Sequence, residues 1–142
     1  MKYAQGNLWN FQSLGPVCIT TNGIIKKNGE LVMGAGIALQ AKQRFPAVPD
    51  KLGDLVHKYG NHAFYLTMEN IFSFPTKNDW RDKSDINLIA RSAMEITDIA
   101  NRIGLSQVFL PKPGCANGQL DWSEVNAVIS IALDDRFTVV SL

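Results

Sequence analysis

Two glycine-bearing segments hold the residues of this chain best suited to chemistry. In Met33-Gly34-Ala35-Gly36-Ile37-Ala38, two glycines stand where an irregular stretch turns into an amphipathic pattern. Glycine has no Cβ, so Gly34 and Gly36 can take positive φ and let a ligand lie against bare backbone. The first turn of a helix starting there offers unpaired N–H donors and a positive dipole end to an anion such as phosphate. Taken alone, the segment serves equally well as a tight turn that packs a helix onto a sheet. The second segment, Pro113-Gly114-Cys115-Ala116-Asn117-Gly118, shifts the balance, because two such loops can form a cleft.

Other chemistry has little to work with. Cys18 sits in an apolar run and Cys115 in the second glycine loop, and both read as free thiols of a reducing compartment. Cys115 as a nucleophile would need a base, yet no histidine lies in an obvious partnering segment, so it reads as a small loop residue packed beside phosphate. His57 and His62 are the only histidines, too few for a zinc site at any recognisable spacing, and neither a metal nor a cofactor is expected.

The 142 residues form one domain, 1–142, with 46% hydrophobic and 19% charged residues. A net charge of +1 does not advertise a nucleic-acid binder, so any such role has to be local. No apolar run approaches a membrane span, and Met1-Lys2-Tyr3-Ala4-Gln5-Gly6 lacks the apolar core of a signal peptide. A cytoplasmic monomer with no membrane partner is the expectation.

The elements that must position the two loops follow from pattern. Val17 to Thr21 reads as a buried strand, followed by a long loop in which Lys26-Lys27-Asn28-Gly29 projects a small hairpin with a solvated lysine tip. Ile37 to Phe45 reads as a helix, broken by Pro46 and Pro49 before a second helix from about Asp50 to Tyr59. Ala63 to Met68 and Ile71 to Phe74 read as strands, the latter stopped by Pro75. Ser84 is the candidate N-cap of the clearest helix, where Ile86, Ile89, Ala90, Ala93, Ile96, Ala100 and Ile103 share one face and Gly104 ends the run. Val108 to Leu110 is a brief strand halted by Pro111. Asp121 and Glu124 have capping-box spacing for a helix to about Leu133, and Phe137 to Val140 is the closing strand.

Strands alternating with helices imply an α/β fold with a mixed, largely parallel central sheet. Ligands of such sheets bind beyond the carboxyl ends of the strands, where both glycine loops fall. A dinucleotide fingerprint is incomplete, because Leu39 occupies the position of its third glycine, and no Gly-Lys-Ser or Gly-Lys-Thr of a P-loop is present.

The order Gly6-Asn7-Leu8, Thr21-Asn22, Met33 to Ala38, Phe74-Pro75-Thr76-Lys77, and Gly114 to Gly118 with Leu120-Asp121-Trp122 resembles a macrodomain over essentially the whole chain. Within that family it most resembles small stand-alone bacterial or phage macrodomains related to the DNA ADP-ribosyl glycohydrolase antitoxin and the terminal ADP-ribose glycohydrolase. The resemblance implies a three-layer α/β/α fold and an ADP-ribose ligand, free or on a macromolecule such as DNA. Adenine would lie near Asn7 and Leu8, the distal ribose near Asn22, and the diphosphate between the loops of Gly34 and Gly114. Asn22 otherwise only caps the end of its strand. A diphosphate needs many backbone donors and few bulky side chains, which agrees.

The resemblance also makes Lys77 the catalytic residue. A lysine near ribose C1 can form a Schiff base with the opened sugar, whereas a surface lysine or a simple phosphate partner is the plainer alternative. Two departures bear on this. Asn7 stands where the family has an Asp that binds the adenine amino group, and it otherwise shapes a turn. Gly118 stands where the terminal glycohydrolase carries a catalytic Asp. Asp79 and Asp121 are the nearby acids, Asp121 more simply as a helix cap, and the general acid stays unassigned. Trp80 and Arg81 form a lid or contact the acceptor, or Trp80 only packs. Removal of ADP-ribose from a DNA base or protein carboxylate is the expected function. A binding-only reader and an ADP-ribose 1''-phosphate phosphatase are the alternatives.

Overall fold

The computed structural model describes all 142 residues, Met1 to Leu142. Its centre is a sheet of six strands: β1 (Lys2–Gln5), β2 (Val17–Thr21), β3 (Tyr65–Leu66), β4 (Ile71–Pro75), β5 (Val108–Leu110) and β6 (Phe137–Ser141). Their spatial order is β1-β6-β5-β2-β4-β3, and every neighbouring pair is parallel except β3 with β4.

Side chains along a strand point to alternate faces, and here both faces are buried. Val17, Ile19, Ile71, Phe109 and Val140 enter one core, closed by α1 (Gly36–Arg44) and α2 (Val48–Tyr59) through Ala38, Ala41, Val48, Leu52 and Val56. Cys18, Phe72, Phe74, Val108, Leu110, Phe137 and Val139 enter a second core. It is closed by α3 (Ile86–Ile103) and α4 (Trp122–Ile129) through Ile89, Ala93, Ile96, Ala100, Val125 and Ile129. The expected three layers around a mixed, largely parallel sheet are present.

Several local expectations need correcting. β1 has no strand pattern of its own, with Lys2, Tyr3 and Gln5 exposed, and exists by pairing with β6. A 3-10 helix, Leu8–Phe11, follows it, with the Asn7 side chain accepting from the Trp9 N–H at 3.0 Å. Pro49 does not delay α2, which begins at Val48, because the first helical turn needs no donated N–H there. β3 is Tyr65–Leu66 alone rather than Ala63 to Met68. Asp85, not Ser84, caps α3, accepting from the N–H of Asn87 at 2.9 Å and of Leu88 at 3.4 Å. Asp121 stands at the N-cap of α4, but no side-chain cap bond forms; its carboxylate takes the Ser123 hydroxyl at 2.7 Å, and the helix ends at Ile129. The 22–35 loop does carry the small hairpin, with an Ile25–Leu31 bridge, Gly29 at φ +89°, and Lys26 and Lys27 exposed.

Candidate functional site

β2, β4 and β5 all run toward one edge of the sheet, and the segments that leave them enclose a cavity of about 1070 Å³. Pockets for sizeable organic ligands reach that volume. Thr21 and Asn22 line it beyond β2, Thr76 and Lys77 beyond β4, and Pro111, Lys112, Gly114, Ala116, Asn117 and Gly118 beyond β5. The segment Met33 to Ala38 completes it.

The first glycine segment leads into α1, whose N-cap is Ala35, and no side chain caps that end. The opening N–H groups of α1 are therefore offered to whatever occupies the cavity, together with the positive end of the helix dipole. Gly36 takes φ +56°, as expected, but Gly34 does not take positive φ, and a Cβ there would meet nothing within 4 Å. A Cβ on Gly36 would lie 3.8 Å from the Asn117 side-chain nitrogen, so the two glycine loops confront each other.

The second loop is held by packing. Gly114 has φ +77°, and an added Cβ would come within 2.7 Å of Ile89 Cδ1. Gly118 accepts from the Ser84 N–H at 3.0 Å, and a Cβ on it would collide with Ser84 Oγ and approach the Gly114 carbonyl oxygen to 2.5 Å. No acidic side chain fits at Gly118. Ser84 Oγ itself is buried without a hydrogen-bond partner.

Lys77 is half-buried between these walls. Its Nζ donates to the carbonyls of Trp80 at 3.4 Å and Asn117 at 3.5 Å, and it forms no ion pair. Asn61 steadies the segment by donating to the Lys77 carbonyl at 3.0 Å. Of the two acids anticipated nearby, Asp79 is bound by both its oxygens to the Arg81 guanidinium, at 2.9 and 2.6 Å. That contact holds its carboxyl down at about 2. Asp121 does not line the cavity, whereas Asp82 is the only acidic side chain that does.

No family model matches the chain. A DNA ADP-ribosyl glycohydrolase of Mycobacterium tuberculosis is 31% identical over 105 residues, 66% of this chain and 29% of that protein. The chain thus spans less than a third of that relative's length. The macrodomain of Mycobacterium tuberculosis DarG shares the fold throughout, with TM-score 0.78, 27% identity, and 99% of this chain and 95% of that one covered. The chain is a macrodomain. A Thermosipho africanus DarTG in complex with ADP-ribose has the same fold, at TM-score 0.81 and 21% identity over 100% of this chain and 42% of that one.

Twelve of the sixteen residues anticipated for the site line the macrodomain's cavity: Thr21, Asn22, Met33, Gly34, Ala35, Gly36, Ile37, Lys77, Gly114, Ala116, Asn117 and Gly118. Four do not. Asn7 and Leu8 lie just past β1 at the same edge of the sheet, Asn7 capping the 3-10 helix and Leu8 buried in the first core. Pro113 is buried beneath the loop, and Cys115 packs on the second core with its thiol turned to the Pro113 carbonyl. Burial also raises the Cys115 pKa, which suits packing and not nucleophilic attack.

Asn22 lines the cavity with one amide hydrogen and its carbonyl oxygen engaged in the loop. It donates to the Val32 carbonyl and accepts from the Ile24 N–H, both at 2.9 Å, which closes the base of the 22–33 loop. Sequence reasoning missed Asp82, Lys112 and Thr76 as lining residues. Only their closeness in sequence to Lys77 and Gly114 pointed toward them. No group of His, Cys, Asp or Glu side chains is arranged to hold a metal ion.

Proposed function

We propose that this macrodomain binds ADP-ribose in the cleft and hydrolyses it from a modified acceptor, a DNA base or a protein carboxylate, through Lys77. The observation that carries the reading is the position of the Lys77 amine. It lies between an uncapped helix N-terminus and a crowded glycine loop in a single cavity. A diphosphate suits the backbone donors of such walls, which leaves its attached ribose beside the amine. The relatedness to proteins named DNA ADP-ribosyl glycohydrolase supports the same substrate class.

In this mechanism the Lys77 nitrogen, having given up a proton, attacks ribose C1. The bond from C1 to the acceptor breaks, and the acceptor leaves with the electron pair and takes a proton. The ribose ring opens to an imine on Lys77, and water hydrolyses the imine to return the free amine and ADP-ribose. Asp82 is the lining carboxylate available for the proton transfers. Asn22 and Gly118 shape the walls without reacting.

The deciding experiment incubates the protein with ADP-ribosylated DNA, with aspartate- or glutamate-linked ADP-ribosyl protein, and with ADP-ribose 1''-phosphate, scoring each product. Free ADP-ribose from either of the first two is the expected result. Binding of ADP-ribose without release from any substrate would overturn hydrolysis in favour of a reader, and phosphate release alone would favour the phosphatase.

A further inference from the structure

Trp80 differs from the other two tryptophans. Trp9 is 6% exposed and donates its indole N–H to Gln40 Oε1 at 2.8 Å, and Trp122 meets Tyr3 edge-on. Trp80 is 51% exposed, belongs to neither core and stacks on no aromatic ring. Its backbone is nevertheless firmly held. The Trp80 carbonyl accepts from Lys77 Nζ, Asp79 takes the N–H and guanidinium of Arg81, the Asp82 N–H donates to the Asp79 carbonyl at 3.1 Å, and the Gly23 N–H donates to the Asn78 carbonyl at 3.0 Å. A braced turn thus presents at the cavity, next to the Lys77 amine, an indole that packs on no other ring and lies 5.7 Å from the Arg81 guanidinium carbon, measured to the ring centroid. An indole held at the rim of a cavity by a braced backbone offers a flat face on which another ring can stack.

The charges around it narrow the partner. Lys77, Arg81 and Lys112 line the cavity against Asp82 as its only acidic side chain, and with Arg81 paired to Asp79 the two lysines are its unpaired cations. An aromatic ring among cations is the combination that stacks a nucleobase and tracks its phosphates. A carboxylate-linked protein brings no flat ring for the indole to cover.

We infer that Trp80 is the acceptor platform. It stacks on a base of a single-stranded nucleic acid whose ADP-ribosylated nucleotide reaches Lys77, while Lys112 takes a flanking phosphate. A base still paired in a duplex cannot cover a flat ring in this way, so the acceptor is single-stranded. The inference rests on the hydrolytic reading above and names its acceptor class.

Two measurements test it. In the first, an unmodified single-stranded deoxyoligonucleotide octamer is titrated at low salt. The expected result is saturable quenching of indole fluorescence, affinity lowered about ten-fold by Trp80→Ala, and most of it kept by Trp80→Phe. In the second, release is compared on ADP-ribosylated oligonucleotide and on glutamate-linked ADP-ribosyl protein. Trp80→Ala should lower kcat/KM for the oligonucleotide about ten-fold more than for the protein, chiefly through KM. Octamer binding that ignores Trp80, or equal losses on both substrates, overturns the platform. Trp80-dependent octamer binding without release from any substrate leaves the platform standing and removes hydrolysis. Release from protein alone, with no octamer bound, does the reverse.

Discussion

Lys77 Nζ donates to the carbonyl oxygen of Asn117 at 3.5 Å, joining the segment after β4 to the second glycine loop forty residues away. The contact places a primary amine among backbone groups instead of beside a carboxylate. If that amine is the nucleophile, Lys77→Ala lowers ADP-ribose release by at least about a hundred-fold, the scale of losing a covalent residue. Calorimetric binding of free ADP-ribose should persist. Lys77→Arg separates the roles, since it keeps the charge and loses the nucleophile. Release by Lys77→Arg close to wild type would make Lys77 a phosphate partner only.

Gly118 and Gly34 respond in opposite ways to a methyl group. A Cβ on Gly118 meets Ser84 Oγ and the Gly114 carbonyl, so Gly118→Ala destabilises by about 1–3 kcal/mol, as overpacking does. A Cβ on Gly34 meets open space, so Gly34→Ala leaves the melting temperature within about a degree or two. Gly36→Val strains a residue at φ +56° that faces Asn117, and it should weaken ADP-ribose binding. Equal melting temperatures for Gly118→Ala and Gly34→Ala would contradict the packing described for the second loop.

Legibility in the sequence followed what each residue faces. β2, β4 and β5 are buried on both sides, so their apolar runs announced them, and α3 was plain from one apolar face. β1 was hidden because its exposed Lys2, Tyr3 and Gln5 owe their conformation to β6, which lies at the other end of the chain. The loops of Gly34 and Gly114 read as an anion cradle from residue type alone, whereas the expectation of ADP-ribose rested on family resemblance. Asp82 could be read only from its closeness to Lys77 in the chain. Its place in the cavity depends on a turn folded around the Asp79–Arg81 pair, and such a turn leaves no periodic trace.

That same pair decides between two acids. Asp79 is held at about 2 by Arg81, first through the side-chain hydrogen bond, and with both its oxygens engaged there it is not free to exchange protons with a substrate. Its folded pKa lies below the unfolded one, so whatever stability it adds is present at neutral pH and is lost only as pH falls toward 2. Asp82→Asn should therefore lower kcat for ADP-ribose release, whereas Asp79→Asn should chiefly loosen the turn and lower the melting temperature. A wild-type kcat in Asp82→Asn would remove Asp82 from proton transfer.

The two thiols should separate by reactivity and by pH. Cys18 is fully buried in β2 and Cys115 half-buried in its loop, so a thiol reagent should titrate one cysteine in the native protein and both after unfolding. Burial raises the Cys18 thiol well above its ordinary 9.0. Above pH 9 the unfolded chain loses that proton and the folded chain keeps it, so the unfolded state binds fewer protons. Stability then falls as pH rises, by up to about 1.4 kcal/mol per pH unit. Denaturant titrations from about pH 8 to 11 should show this slope, reduced in Cys18→Ala even though that variant starts from a lower stability. An unchanged slope in Cys18→Ala would mean that other groups carry the alkaline loss.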